Sequence, residues 1–239
     1  MASPKTKAFL RGCLASAPFI IVVVPFALLF GVVATEAGLD LLKVMLFSVS
    51  VFAGASQFAA LQLMQEQAPV LVILATSLAV NLRMVMYSVA VAPHLGGAPL
   101  GTRVLMAYFL VDQSFAASTV EFEKRPDQSL GEKVAFFFGS VAPIAPLWFG
   151  ASMAGAMIGQ AIPPEYALDF AVPITFLAIT APMLRSIPHV ISAGVSILVA
   201  LLLAGMPYGT GLLVAAVLAM AAGAGSEIWL ERRGRADEG

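Results

Sequence analysis

Charge is what this sequence has least of. Asp, Glu, Lys and Arg together make up only 11% of its 239 residues, against roughly a quarter in an ordinary soluble domain. A chain so short of charge cannot cover a folded surface that faces water, so its natural solvent is lipid. Cysteine is nearly absent as well. Cys13 stands alone, which excludes an internal disulfide framework and any cysteine-built metal site. The two histidines, His94 and His189, have no second ligand at useful spacing, so neither a metal nor a cofactor is expected. An excess of basic residues is missing too: 13 Lys and Arg stand against 14 Asp and Glu, which argues against nucleic acid as a partner. No GxSxG, HExxH, P-loop or paired active-site carboxylates occur. The chain is therefore not expected to be an enzyme, nor to drive transport with ATP by itself. A long polar segment is also lacking, so no soluble domain is expected beside the membrane part.

What remains is apolar. Hydrophobic residues supply 60% of the chain and the mean hydropathy is +0.93. One crossing takes about 20 apolar residues, so the length holds about seven or eight. The expected fold is all-α, a polytopic transmembrane helical bundle in one integral membrane domain over residues 1–239, with short tails at about 1–13 and 230–239. The spans read as Leu14 to Ala34, Leu41 to Met64, Pro69 to Ala92, Val104 to Val120, Lys133 to Ile158, Tyr166 to Pro182, Val190 to Ala204 and Thr210 to Trp229. The first resembles a signal peptide in its charge pattern, but its apolar stretch runs on to Ala34 without an A-x-A-like site, which reads as a span that stays. Seven spans result if the short seventh segment is re-entrant.

Basic residues test this layout. With both termini cytoplasmic, the inner segments hold Lys5, Lys7, Arg11, Lys124, Arg125, Lys133, Arg185, Arg232, Arg233 and Arg235. The outer loops hold Lys43 and Arg103, and Arg83 lies inside a span. Such a bias is what the positive-inside rule requires; the expected location is a bacterial inner membrane. A repeat is also suggested. Ser16-Ala17-Pro18 with Phe30-Gly31 matches Ser140-Val141-Ala142-Pro143 with Phe149-Gly150, and Phe52 to Ser56 matches Phe176 to Thr180. Both similarities fit one spacing and a parallel 3+1+3 arrangement with a final extra helix; chance likeness among Ala/Gly/Phe-rich helices is the competing account.

Lipid excludes polar side chains, so each one in mid-span is a functional candidate. The second span carries Phe52-Ala53-Gly54-Ala55-Ser56-Gln57-Phe58. Gly54 permits local unwinding, and Ser56 and Gln57 supply hydrogen-bonding groups; discontinuous helices of this kind hold polar solutes in many transporters. Close packing of small residues explains Gly54 and the alanines equally well, but not Gln57. The third span carries Asn81-Leu82-Arg83 near its midpoint, then Tyr87. Arg83 is too deep to snorkel and needs either a carboxylate partner or an anionic ligand. Asp112, midway along the fourth span, is the candidate for that partner or for a proton-titrating group. Asp169, in the first turn of the sixth, has a competing role as a helix N-terminal residue favoured by the dipole.

These motifs resemble the AzlC family of branched-chain amino-acid exporters. The likeness rests on Phe52-Ala53-Gly54-Ala55-Ser56-Gln57-Phe58, on Asn81-Leu82-Arg83 with Tyr87, and on Leu168-Asp169-Phe170-Ala171-Val172-Pro173. Pro25-Phe26, Phe30-Gly31, the Asp112-x-Ser-Phe region, and Trp148 with Gly155 and Gly159 add to it. It covers roughly residues 10 to 230. The resemblance implies the large subunit of a two-component exporter of branched-chain amino acids, with methionine a further solute, and a small AzlD-like membrane subunit as partner. Two departures bear on coupling: the family commonly has Asp-Glu where this chain has Asp112-Gln113, and a frequent histidine is replaced by Met84. On this reading Arg83 holds the solute's carboxylate, Asn81, Ser56 and Gln57 orient it, Phe52 and Phe58 receive its aliphatic part, and Asp112 couples export to the proton gradient. The alternatives are a non-transporting membrane scaffold or assembly subunit, and a transporter of a different small carboxylate solute.

Overall fold

The computed structural model describes residues 3–161, 184, 186–206 and 210–237. The described residues are helical and include no strand. They divide into two compact units, one of Met1–Leu61 with Ser77–Tyr166 and one of Gln62–Thr76 with Ala167–Gly239. The expected sixth span and Asp169 lie outside the described residues.

In the first unit, α1 (Pro4–Ser16) is capped by Ser3, whose hydroxyl accepts the Thr6 N–H at 3.2 Å. The expected first span thus begins about three turns earlier, with a helical rather than a loose tail. Pro18 has no N–H to give, so the chain passes through a 3-10 turn at Ala17–Phe19 before α2 (Ile20–Glu36) resumes. A second segment repeats this plan. Ser129 caps α8 (Leu130–Val141) in a reciprocal box with Glu132, and the helix breaks at Ala142-Pro143 before α9 (Ile144–Ala161).

The two broken rods pack side by side along a seam of small residues. A Cβ on Gly139 would meet the Phe9 carbonyl, one on Gly155 the Leu28 carbonyl, and one on Gly159 the Thr35 hydroxyl. The matched positions advance together, so the rods run parallel; Phe176 to Thr180, the second match of the repeat suggested by sequence, lies outside the described residues. In lipid there is little hydrophobic gain in bringing helices together, and such close backbone approach is what replaces it.

Between the rods the chain departs from the expected spans. The second one is split into α3 (Leu41–Ser50) and α4 (Gly54–Gln65), with Val51 extended at φ −125°, ψ 86°. The fourth is split into α6 (Leu100–Tyr108) and α7 (Asp112–Lys124), with Val111 at φ −118°, ψ 173°. Each piece is 9 to 13 residues long, which at 1.5 Å per residue reaches about half of a 30 Å hydrocarbon core.

Contacts show that both pairs turn back instead of crossing. Phe47 of α3 and Phe58 of α4 both lie against Phe30 of α2, at ring separations of 5.7 and 6.0 Å. The tip residue Phe52 instead reaches Tyr108 and Phe109, the tip of the other pair, at 6.0 and 5.6 Å. Along α5 (Val70–Leu95), Arg83 meets Asp112, Tyr87 meets Phe115 and His94 meets Phe122. So α7 runs back parallel to α5. Two re-entrant helical hairpins therefore enter from opposite faces and meet tip to tip.

The end of α5 then lies on the face where α1 and α8 begin. His94 Nδ1 is 3.5 Å from Lys133 Nζ, and a Cβ on Gly131 would come within 2.6 Å of Lys5 Cε. His94, which follows the expected third span on its outer side, and Arg103, read from sequence as an outer-loop residue, belong to the N-terminal face. Of the described basic residues in this unit, that face carries Lys5, Lys7, Arg11, Arg103, Lys124, Arg125 and Lys133, and the opposite face only Lys43. The charge bias sharpens.

In the second unit, α10 (Ile187–Leu202) and α11 (Thr210–Asp237) form an antiparallel pair. The Ser192 hydroxyl donates to the Ala219 carbonyl at 2.9 Å, while a Cβ on Gly211 would meet the Leu203 carbonyl at 2.6 Å. Where eight crossings were expected, the described residues hold four helical segments long and apolar enough to cross a membrane: Pro4–Glu36, Val70–Leu95, Leu130–Ala161 and Thr210–Leu230. Ile187–Leu202, which holds most of the expected seventh span, is a shorter apolar helix.

The hairpins make a direct prediction. In a Cys13→Ser background, cysteines at Gly97 and at Gln128 should react with a membrane-impermeant thiol reagent from one face. A cysteine at Gly38 should react from the other. Labelling of Gly97→Cys on the Gly38→Cys face would restore the crossing at α6–α7 and remove the hairpins.

Candidate functional site

The site is built on the two unwound tips, because each leaves backbone groups that a helix would have satisfied. At the first, Gln57 Nε2 reaches back 2.7 Å to the Val51 carbonyl. At the second, the Ser114 hydroxyl lies 2.8 Å from the Phe109 carbonyl and accepts the Val111 N–H at 2.9 Å. A polar residue shortly after each break thus takes over part of the lost ladder. The tips are also tied to each other, since the Tyr108 hydroxyl donates to the Val49 carbonyl at 2.5 Å.

Around them the proposed residues fall into two clusters on α5. In one, the Asn81 Nδ2 amide donates to Ser56 Oγ at 3.1 Å, and the Ser56 hydroxyl donates onward to the Ala53 carbonyl at 2.9 Å. These partners fix the amide orientations. Ser56 has spent its only proton on Ala53, so Asn81 must present its nitrogen; Val51 offers only an acceptor, so Gln57 must do the same. Asn81 Oδ1 and Gln57 Oε1 are left buried with no hydrogen-bond partner. An unmet buried acceptor costs about 1–3 kcal/mol, a cost that a donor-bearing ligand removes.

In the other cluster, Arg83 Nη1 lies 3.0 Å from Asp112 Oδ2, and the Tyr87 hydroxyl donates to Asp112 Oδ1 at 2.8 Å. Tyr87 is held in place by stacking on Phe115 at 4.2 Å. The partner expected for Arg83 is therefore Asp112. However, Asp112 is not midway along a helix: it opens α7, where the unpaired N–H groups favour its charge. Arg83 keeps one donor in reserve, because its Nε is buried and unpartnered. Positions two apart on a helix point about 200° away from each other, so Asn81 and Arg83 serve different flanks of α5.

Phe52 and Phe58 differ from each other in the same way. Phe52 is caged by Tyr108, Phe109, Trp148 and Phe149 with centroids 5.5 to 6.0 Å away, which makes it the plug between the tips. Phe58 packs edge-on against Phe26 at 4.8 Å and belongs to the wall behind. Gly54 has a packing duty beside its place at the break: a Cβ there would run into the Phe26 ring and come within 2.7 Å of the Trp148 ring. Sequence reasoning missed Tyr108 and Ser48. Ser48 accepts the Trp148 indole N–H at 3.0 Å and bonds Ser152 at 3.3 Å, all buried. Single serines and tyrosines in apolar runs carry no signal of their own.

A family model described as AzlC protein matches residues 18–162, more than half of the chain. The chain belongs to the AzlC family. The match covers α2, both hairpins and the whole of the second rod, and leaves α1 outside. Two curated proteins are similar to this AzlC chain. An uncharacterized membrane protein of Archaeoglobus fulgidus is 29% identical over 185 residues, covering 76% of this chain and 78% of that one. The inner membrane protein YgaZ of Escherichia coli K12 is 27% identical over 183 residues, covering 74% and 73%. No solved structure matches. The AzlC chain is an all-α membrane protein, as its composition required.

Proposed function

We propose that this AzlC chain is the large subunit of a secondary transporter that exports branched-chain and other small hydrophobic amino acids, methionine among them. The membrane is a bacterial inner membrane, with the N-terminal face cytoplasmic, because that face carries the basic residues. The observation that carries the reading is Arg83: a mid-membrane guanidinium that pairs with Asp112 through one nitrogen while its Nε stays buried and unmet. A solute carboxylate takes that donor and competes with Asp112 for the rest of the fork. Displacement of Arg83 from Asp112 is the step at which export is coupled to the proton gradient in this reading. The acceptors Asn81 Oδ1 and Gln57 Oε1 lie on the other flank of α5 and make a separate polar position, one that a solute's ammonium uses at a different point of its passage from the Arg83 position. A small AzlD-like subunit completes the exporter.

The ion pair itself favours a second reading, since a non-transporting scaffold or assembly subunit would also pair its mid-span charges internally. A transporter of another small carboxylate would use Arg83 in the same way. Proteoliposomes holding the chain and its partner subunit decide among them. Labelled leucine, isoleucine, valine and methionine should show counterflow, with valerate lacking the amine failing to exchange. Folded protein with no counterflow of any solute overturns transport. Exchange of valerate alone shifts the solute class.

A further inference from the structure

A cavity of about 230 Å³ opens between α5 and α6, and the reading above does not use it. Its walls are apolar: Val91, Met106, Leu110 and Phe137 line it and are all buried. Polar lining comes from Ser88 and from Arg103, which is exposed at its mouth. Among the described residues Arg103 has no ion-pair partner, unlike Arg11, Arg83 and Arg125. The floor is Leu110, two residues before Asp112 and inside the second tip.

We propose that this cavity is a loading vestibule for small apolar amino acids on the N-terminal face, with Arg103 capturing the carboxylate and the apolar wall the side chain. The inference rests on the export reading and adds a second binding position to it. An unpaired guanidinium above an apolar pocket matches a molecule with one anionic end and one short hydrocarbon end. Volume decides between sources of that chemistry. Pockets for drug-sized ligands run about 300–1,000 Å³, so one of about 230 Å³ suits a small solute better than a whole phospholipid. Position gives it direction: Leu110 at its floor lies in the second tip, two residues in sequence before the Asp112 that pairs with Arg83. Tyr108, which ties the tips together through Val49, lies on the same short helix as Arg103.

Photolabelling of the two-subunit complex with a diazirine analogue of leucine tests this without relying on flux. Label is expected in the peptides spanning residues 88–96 and 103–110, displaced by excess leucine. Arg103→Gln should lower it at least about fivefold, as loss of a charged hydrogen bond does, while Arg103→Lys keeps most of it. Ala92→Phe, which fills the cavity and leaves Arg103 in place, should also lower it. Each variant is first checked for an unchanged thermal midpoint. Absence of label from these peptides, or displacement by short-chain phosphatidylglycerol but not by leucine, overturns the vestibule. Label here with no counterflow would keep the binding site and sink export instead; counterflow without label would do the reverse.

Discussion

Arg83→Ala is expected to cut export by about 10- to 100-fold at equal membrane abundance, the worth of a charged hydrogen bond of about 1.5–3 kcal/mol expressed as a rate or affinity ratio. Resistance of cells to a toxic leucine analogue, read against the amount of protein in the membrane, measures it. Removing the guanidinium also strands Asp112, whose two oxygens are held by Arg83 and Tyr87, so some loss of stability accompanies the loss of transport. The exchange Arg83→Asp with Asp112→Arg separates the two effects. It rebuilds the pair and should restore abundance, yet it moves the cation onto the start of α7 and should leave export low. Recovery of export together with abundance would make the pair structural and return the scaffold reading. Unchanged resistance in Arg83→Ala would take Arg83 out of the mechanism altogether.

The largest structural effect is expected at Gly155. A Cβ there meets the backbone of Leu28: its carbonyl oxygen, its carbonyl carbon at 2.7 Å and its Cα at 3.0 Å. Backbone cannot swing aside as a side-chain end can, so Gly155→Leu must push α9 off α2. Overpacking costs about 3 kcal/mol when helices are forced apart, and here it opens the seam that holds the parallel rods. The expected result is loss of the monodisperse peak in detergent chromatography and a sharply lower thermal midpoint. Gly150→Ala is the control, because nothing lies within 4 Å of its added carbon. Equal behaviour of the two variants would show that the rods do not depend on close approach.

Much of this was legible in the sequence because lipid makes charge conspicuous. Arg83 and Asp112 stood out as residues the bilayer should exclude, and each proved to be the other's partner. The Ala-Pro breaks at residues 17–18 and 142–143 were visible as one of two matching spacings, and both rods turn there. The hairpins were hidden for a physical reason. Leu41–Ser50 with Gly54–Gln65 has the length and apolarity of one crossing, and hydropathy sums identically whether the halves continue or fold back. Only neighbours along the way, Phe30 touching both Phe47 and Phe58, tell the two apart. The same ambiguity put Arg103 and His94 on the wrong face. The split between Asn81 and Arg83 was readable from helix geometry alone, since residues two apart cannot share a flank.

The tip-to-tip contact has an electrical consequence. If water follows the hairpins in from both faces, the insulating layer thins to the aromatic cage around Phe52, where an unbroken bundle would present the full bilayer thickness. A membrane potential falls mostly across the layer that excludes water and ions, so the field concentrates there. Each elementary charge carried through that layer is worth about 2.3 kcal/mol per 100 mV, earned over the width of a few rings. Arg83 and Asp112, set beside the second tip, would then sit where a small displacement of charge senses much of the voltage.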